Sequence, residues 1–558
     1  MKIKAIVQVL MLLGGMQAVE AADITPQMQE EQLRQARMAQ EEREQRLERP
    51  TLNIEGAETL KPPEVDEETV SAVFTIKNII IANQADDFEW LSALSRPHIN
   101  TNMGLFAINK LVREMNAALL EKGYVTSQIV IPEQNIKEGT LHLTLVIGRV
   151  HDVIYSKDSA VVPWRNAFPI RKGDVLSLRA LEQGLEQMQR LSSQNVTMKL
   201  VPATMAGATD IELTVIRSNP VQTLLSLDDS GLDNTGKIQI NATLTLDQLF
   251  GSNDIFNFTV NGDGSQDGYQ KGMRGRSISY SIPHGKDTFS FQHSSYKHHQ
   301  TVKSNPYDFL SSGRTNTAKL TWQHLLSRSK TNKVNLDVSI SKRDAHSYIN
   351  DLEILVQRMD TTALEVGISE RKYIGNSTLY KRLAHKAGVS WFGAQADNSY
   401  GQGPTTRYNQ WLFDIDYQTP FMLGTQQVTY TASLHGQWTM RGDRLYGSDM
   451  LSIGNRYTVR GFDGNYTLMG ESGWYWRNEL SFPQSKQSVL YTGLDVGAVY
   501  GKSTEILVGK TIAGIAVGAR GSFASDVYYD IFVSTPLYKP AGFHTNKFAA
   551  GFTLSYRF

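Results

Sequence analysis

The chain has no cysteine. That excludes a disulfide framework and a thiolate metal site, and it suits an envelope compartment, where a free thiol is a folding hazard. Long apolar runs are missing as well. Past the N-terminus nothing reaches the roughly 20 apolar residues that a spanning helix needs, and with a hydrophobic fraction of 41% a bundle of membrane helices is excluded. Any membrane role must therefore come from strands. There is no excess of charge of one sign: 56 Lys and Arg stand against 56 Asp and Glu, so no bulk signal for nucleic acid exists. Walker loops and dinucleotide glycine fingerprints are absent. No nucleophile–base set or pair of acids stands out, so an enzyme is the weakest reading, and no cofactor is expected. No metal site is expected either. His151 and the pair His298-His299 lack a ligand spacing. Asn261, Asp263 and Asp267, near Gly262, Gly264 and Gly268, read as a turn rather than as a calcium loop.

At 558 residues the chain is too long for one ordinary domain. Lys2 and Lys4 precede an apolar stretch over 5–13, broken by Gln8, and Val19-Glu20-Ala21 fits a cleavage site. Residues 1–21 thus read as a secretory signal. Residues 22–50 are rich in Gln, Glu and Arg, with Met28, Leu33, Met38 and Leu47 too sparse for a core stripe, and Pro50 closes the segment. A helix over 26–48 would be about 35 Å long. A helix polar all round is either solvated or lines something wet, so this one is either a frayed or coiled-coil segment or a plug inside an aqueous pore. It is longer than the roughly 25 Å apolar band of an outer-membrane barrel. Residues 51–71, with Pro62-Pro63 and an acidic run, read as a linker.

Residues 72–148 form a small α/β pattern. One strand is expected over 73–81 and a short helix over 87–94. Phe106, Ile108, Leu111, Val112, Met115 and Leu119 make a helical stripe that stops at Gly123, and strands follow over 124–131 and 140–147. Residues 149–219 repeat the β-α-α-β-β order, with Leu181, Leu185, Met188 and Leu191 as the helix stripe. From 220 to 558 alternating strands recur between Gly, Asn, Asp and Ser clusters. Along 428–438, Val428, Tyr430, Ala432, Leu434 and Trp438 oppose a polar face. At the end, Phe548, Ala550, Phe552, Leu554, Tyr556 and Phe558 oppose Lys547, Thr553, Ser555 and Arg557. Sixteen segments, joined by alternately short and long connections, predict an antiparallel membrane barrel with a wet lumen. Long connections are expected over 262–275, 297–314, 345–360 and 395–408.

The longest gap between strands, about 439–472, carries Val459-Arg460-Gly461-Phe462. A later strand reads Gly493-Leu494-Asp495-Val496-Gly497. Alternation puts Gly493, Asp495 and Gly497 on one face, so a carboxylate there has open space on both sides. The loop is expected to fold back into the barrel, where Arg460 would meet Asp495. The alternative is a surface arginine touching lipopolysaccharide and an ordinary pore-lining aspartate.

In this order, these features resemble the two-partner secretion transporters, the TpsB family of the BamA-like superfamily. The two α/β units look like POTRA domains, and Gly123-Tyr124-Val125-Thr126-Ser127 resembles the family's segment after the second helix of the first one, expected to shape that unit's core. Val459-Arg460-Gly461-Phe462 matches the superfamily's loop motif and Gly493-Leu494-Asp495-Val496-Gly497 its partner on the barrel wall. The resemblance implies a transporter in the outer membrane of a Gram-negative bacterium, with its POTRA domains in the periplasm. It would export one large β-helical exoprotein (a haemolysin, adhesin or contact-dependent inhibition toxin) without ATP. The POTRA domains would bind the exoprotein through its N-terminal secretion domain. Phe552, Leu554, Tyr556 and Phe558 would be read by the outer-membrane assembly machinery. A monomer in contact with lipid and with no nucleic-acid partner is expected. An outer-membrane protein insertase and a passive porin are the alternatives.

Overall fold

The computed structural model describes residues 26–50, 52, 54–55, 73–205, 207–264, 270–303, 307–397, 403–523 and 526–558. The signal segment and nearly all of the linker lie outside these residues, as does Asp267.

In the first α/β unit, strand Thr140–Val146 lies between Asn78–Ala82, which is parallel to it, and Gln128–Val130, which is antiparallel. Helix Leu105–Lys122 buries Ile108, Leu111, Met115 and Leu119 against Leu141, Leu143 and Leu145. It ends at Gly123, whose φ of +93° places it in the left-handed region, where glycine has no Cβ penalty. Two expected strands come out differently. The stretch over 73–81 is two strands, because the amides of Lys77 and Asn78 both donate to Gly139 O and bend the chain. Phe74–Ile76 then pairs separately with Thr101–Met103. The strand expected over 124–131 starts only at Gln128. Before it the chain is a turn, with Tyr124 N donating to Leu119 O and Ser127 N to Tyr124 O. The helix expected over 87–94 is a 3₁₀ turn, Asp86–Phe88, followed by Leu91–Ser95.

The second unit packs helix Leu178–Gln189 on the sheet of Arg149–Tyr155, Ala208–Arg217 and Gln194–Pro202. A fourth strand was not expected from the sequence. Ile54–Glu55, from the linker region, pairs parallel with Met198 and Lys199 on the outer edge of this sheet. The Gly123–Thr126 segment also differs from its expected place within one unit. Tyr124 packs its ring at a tilt against Phe88 of the first core, 4.7 Å between ring centroids; burial and the Asp87 carboxylate push its phenol pKa up. Val125, in contrast, belongs to the second unit's core. Thr126 faces Gly148, and Gly123 O accepts from Leu178 N at 2.8 Å. The segment therefore joins the two units.

Sixteen strands, from Val221–Asp228 to Ala549–Arg557, pair antiparallel with their chain neighbours, and the first pairs with the last to close a barrel. That closing seam has five residue pairs, Leu224–Arg557 to Asp228–Thr553, whereas Phe309–Arg328 and Asn332–Ile349 pair along nearly their full lengths. Leu490, Leu494, Val517, Ile531 and Val533 are exposed on the outer wall, while Asp495 and Ser534 are buried on the inner side. Apolar outside and polar inside suits a lipid solvent. The expected long connections 262–275 and 297–314 are shorter because strands Lys271–His284, Asp287–Val302 and Phe309–Arg328 run on into them.

The second unit docks against one end of the barrel. Asn166 O accepts from Gly285 N in the turn between the fourth and fifth strands. Glu186 receives Arg328 at 2.5 Å and Lys333 at 2.7 Å, and Arg328 also reaches Glu182 and Gln183. Burial alone would raise the Glu186 carboxyl, but Lys333 and Arg328 outweigh it and hold its pKa at about 2. A carboxylate depressed in the docked state contributes its full stabilisation above about pH 4.5 and loses it as pH falls toward 2. Spin-label distances between the second unit and the barrel should therefore broaden below about pH 4. Glu186→Gln should broaden them at pH 7, weakening docking by up to about 3 kcal/mol. Unchanged distances in both cases would leave the ion pairs without a docking role.

Candidate functional site

The connection between strands Gln426–Thr439 and Ser472–Ser485 enters the lumen as a hairpin, with Leu451–Ile453 antiparallel to Leu468–Gly470. Its apolar side chains give it a small core of its own. Leu451, Ile453, Val459, Phe462 and Leu468 pack with Tyr475, Val499 and Ile512 of the wall, and Phe462 meets Phe543 edge-on at 5.6 Å. This patch fixes the depth of the hairpin, and Gly461, at φ +110°, turns the chain at its tip.

Arg460 is consequently directed at the wall. Its Nε donates to Asp495 Oδ2 at 2.7 Å and its Nη2 to Asp495 Oδ1 at 2.9 Å, a bidentate fork. The backbone N–H of Arg460 adds a third bond to Oδ2 at 3.0 Å. Nη1 donates to Glu479 Oε2 at 2.7 Å and Nη2 to Asn478 O at 3.1 Å. Asp495 is 0% exposed and Arg460 5%. A guanidinium suits this place because its donors are rigidly arranged for planar acceptors. Glycine makes the space for it. A Cβ on Gly493 would lie 2.1 Å from Arg460 Nη2, and one on Gly497 would touch Val459 Cγ2 at 3.0 Å. Gly514, on the next strand, lets Arg460 O approach to where its Cβ would be.

Reading the sequence did not find Gly514, nor Glu479 as a shared acceptor that Arg520 also holds at 2.6 Å. The inner face of strand Ser472–Ser485 does carry Tyr475, Arg477, Glu479 and Ser481, and a charged inner face is the signal that was available. Two further anchors of the hairpin also escaped notice. Asp449 takes Arg343 at 3.1 Å, Tyr408 Oη at 2.9 Å and Lys386 at 3.5 Å. Arg456 meets Asp229 at 3.0 Å, beside the closing seam. These partners are far apart in sequence and belong to no motif.

Helix Pro26–Leu47 also lies in the lumen. Gln32 Nε2 donates to Gly447 O at 2.5 Å, and Arg43 donates to Tyr475 Oη at 2.5 Å and to Tyr457 O at 3.0 Å. Arg477 Nη1 donates to Gln40 Oε1 at 3.0 Å, and Arg37 reaches Asp228 at 3.4 Å. Arg34 lies over the Tyr296 ring at 3.8 Å. Its polar side chains find partners on several sides because the wall around it is polar.

The terminal residues stand apart from this site. Phe552, Leu554, Tyr556 and Phe558 lie on the last strand and just beyond it, with Tyr556 and Phe558 stacked at 5.5 Å, and Phe558 bonded through its backbone to Thr223 of the first strand. Among the described residues no group of His, Asp and Glu is placed to hold a metal ion.

Residues 207–521 match the family described as haemolysin secretion/activation protein ShlB/FhaC/HecB. Residues 74–148 match the ShlB-type POTRA domain and 149–202 a further POTRA domain. The outer membrane transporter CdiB-2 of Burkholderia pseudomallei (strain 1026b) is 37% identical over 82% of this chain and 79% of that protein. The outer membrane transporter CdiB of Dickeya dadantii (strain 3937) is 28% identical over 98% and 97%. The solved structure of CdiB from Escherichia coli has a similar fold, with a TM-score of 0.85 at 24% identity, covering 98% of this chain and all of that one. CdiB from Acinetobacter baumannii gives 0.82 at 25% identity, covering 95% and 99%. The chain thus belongs to the ShlB/FhaC/HecB family of haemolysin secretion and activation proteins, the outer-membrane transporters of two-partner secretion.

Proposed function

We propose that this transporter exports a single large exoprotein through the lumen now filled by the Pro26–Leu47 helix and the Arg460 hairpin. One observation carries the reading: the helix is held in the lumen by side-chain hydrogen bonds, ion pairs and ring contacts rather than by strand pairing with the wall. A helix held in this way can leave without unzipping the barrel. The exoprotein would enter through its N-terminal secretion domain, captured by the POTRA domains. Strand addition at an open sheet edge gains backbone hydrogen bonds without demanding one sequence. The outer edge of Gln194–Pro202 is taken by Ile54–Glu55, and on Gln128–Val130 the backbone N–H and C=O of Ile129 are bonded to the Asn116 side chain, which strand addition there would have to displace. The CdiB names of the relatives above suit a contact-dependent inhibition toxin as cargo, and the family's description suits a haemolysin; an adhesin is the third reading. Folding of the cargo outside the cell, rather than ATP, would bias transport, and the protein would act as a monomeric, non-catalytic pore. The Phe552–Phe558 strand end would be read by the assembly machinery during insertion. Liposomes test the reading: transport of the cognate exoprotein supports it, whereas general sugar flux or folding of other barrels would replace it with a porin or an insertase.

Arg460 would fix the hairpin in its export-competent position. Removing one partner of a buried pair costs about 3–5 kcal/mol. Arg460→Lys keeps the charge but loses the fork, and it should cut secretion at least tenfold, with faster hydrogen exchange over 456–466. Asp495→Asn should do the same. Glu479→Gln should be milder, since the fork to Asp495 is kept and the losses are one arm of Arg460 and the ion pair with Arg520. Wild-type secretion and protection in Arg460→Lys would refute the positional role.

Deleting residues 26–47 should raise single-channel conductance severalfold. Because the helix is held by charged contacts, raising the salt concentration should shorten its closed dwell times in the intact protein. Equal conductance with and without the helix would remove it from the gate.

A further inference from the structure

The inner wall of the barrel is two-sided in charge. Its ninth to fourteenth strands carry inward charges, among them Arg382, Asp414, Asp416, Glu479, Asp495 and Arg520. The second to fifth strands differ. Thr243, Thr259, Ser277 and Ser294 form one inward cross-strand rung, and Thr245, Asn257, Ser279 and Gln292 the next one toward the POTRA domains. Over 241–245, 257–261, 275–281 and 290–296 no Asp, Glu, Lys or Arg faces inward. Asp247 marks the lower end of this neutral sector, and Asp263 and Lys271 the upper one. Within it Thr243 meets Thr259 at 2.9 Å, Thr245 donates to Asn257 at 2.7 Å and Asn257 to Ser279 at 3.2 Å.

Two cavities lie along the same sector, between these strands and the helix Pro26–Leu47. The upper one is about 490 Å³ and the lower one about 700 Å³. They adjoin, since Met38, Glu41, Gln45, Ser279 and Gln292 line both. The acidic, lysine and arginine residues around them belong to the helix, to Glu186 and to strands six to nine, apart from Lys297, whose register places it in an outward row with Arg274. The hairpin takes its anchors elsewhere: Arg460 holds Asp495 and Glu479, both in the charged sector.

The base of the sector is continuous with the POTRA interface. Gln187, on the helix of the second POTRA domain, donates to Thr288 Oγ1 at 3.0 Å. Arg190, just past that helix, donates to Ser281 Oγ. Ser193 N donates to Asp247 Oδ2 at 2.9 Å. Thr288 and Ser281 belong to the same inward rows as Gln292 and Ser279. A chain leaving the second POTRA domain here arrives at the foot of the neutral rungs, beside the lower cavity.

We propose that the neutral sector is the track along which the exported polypeptide slides in extended form. An extended chain presents a peptide N–H or C=O at every step, and hydroxyls and side-chain amides can answer either one. A neutral bond of this kind exchanges readily for the next one or for water. A charged wall would instead catch cargo side chains of opposite sign in charge-assisted bonds, which are shorter and stronger. The barrel thus keeps its charges for the parts it must hold and leaves the moving chain a surface without ionic traps. This inference rests on the export reading above and adds to it the sector of the wall that the cargo touches.

The test is made in cells that express the full chain with its cognate exoprotein. Thr259→Lys and Thr259→Glu should each slow secretion about tenfold, the difference between a charge-assisted and a neutral hydrogen bond. Thr259→Asn should leave the rate unchanged, as should Gln418→Lys on the inner face of the tenth strand. Heat-modifiable electrophoretic mobility checks that each barrel is folded. A photo-reactive amino acid supplies the second measurement, with the exoprotein stalled in transit by a folded domain fused to its C-terminal end. Placed at Thr259 or Ser279 it should cross-link the exoprotein more strongly than at Gln418 or Thr431. Wild-type rates in folded Thr259→Lys and Thr259→Glu overturn the track, as does equal or stronger cross-linking from Gln418 and Thr431, and in both cases export itself stands. Should the charged variants fail to fold, the cross-links decide. No secretion by the wild-type protein overturns the export reading, and the track with it.

Discussion

The arrangement inside the barrel depends on one buried guanidinium. Arg460 uses its Nε, both Nη atoms and its backbone amide on acceptors of two adjacent wall strands. A charge this deep is tolerated only when its donors are matched, so the contact admits one position of the hairpin and few others. Everything the hairpin touches inherits that position. Asp449, held by three side chains from other parts of the wall, and the apolar patch around Val459 and Phe462 fasten the same loop from other sides.

The helix in the lumen is held by a different physical means. Several of its bonds go to backbone carbonyls of the hairpin, at Gly447 and Tyr457. Others go to scattered wall carboxylates and ring faces. Such contacts are directional, and each can be replaced by a bond to water as the helix moves. A wall that grips one element through a bidentate fork and an apolar patch, and another through separate side-chain hydrogen bonds and ion pairs, separates a fixed part from a removable one. On the outside the same strands meet lipid.

Much of this was legible in the chain. The alternation along the last strand, ending at Phe558, announces a lipid-facing wall, because a period of two puts every other side chain in one solvent. The Arg460 and Asp495 motifs could be read because glycines beside a carboxylate leave a space that only an incoming group explains. Glu479 was not legible as a partner, since its role depends on strand Ser472–Ser485 lying next to Ser488–Tyr500 with Arg477 opposite Asp495. The expected strand over 124–131 failed because a helix cap continues into it, and local hydrogen bonds at Tyr124 outweighed β propensity.

Sequence alone determined the class of solvent on each face of the barrel strands, the number of strands, the repeated α/β units and the polar character of the helix, because these follow from local periodicity and composition. Tertiary structure decided which distant groups meet: Asp449 with Arg343, Asp229 with Arg456, Val125 inside the second unit's core, and Ile54–Glu55 on the edge of the second sheet. Register between strands and the path of the inward loop set those encounters, and neither leaves a trace in the spacing of residues along the chain.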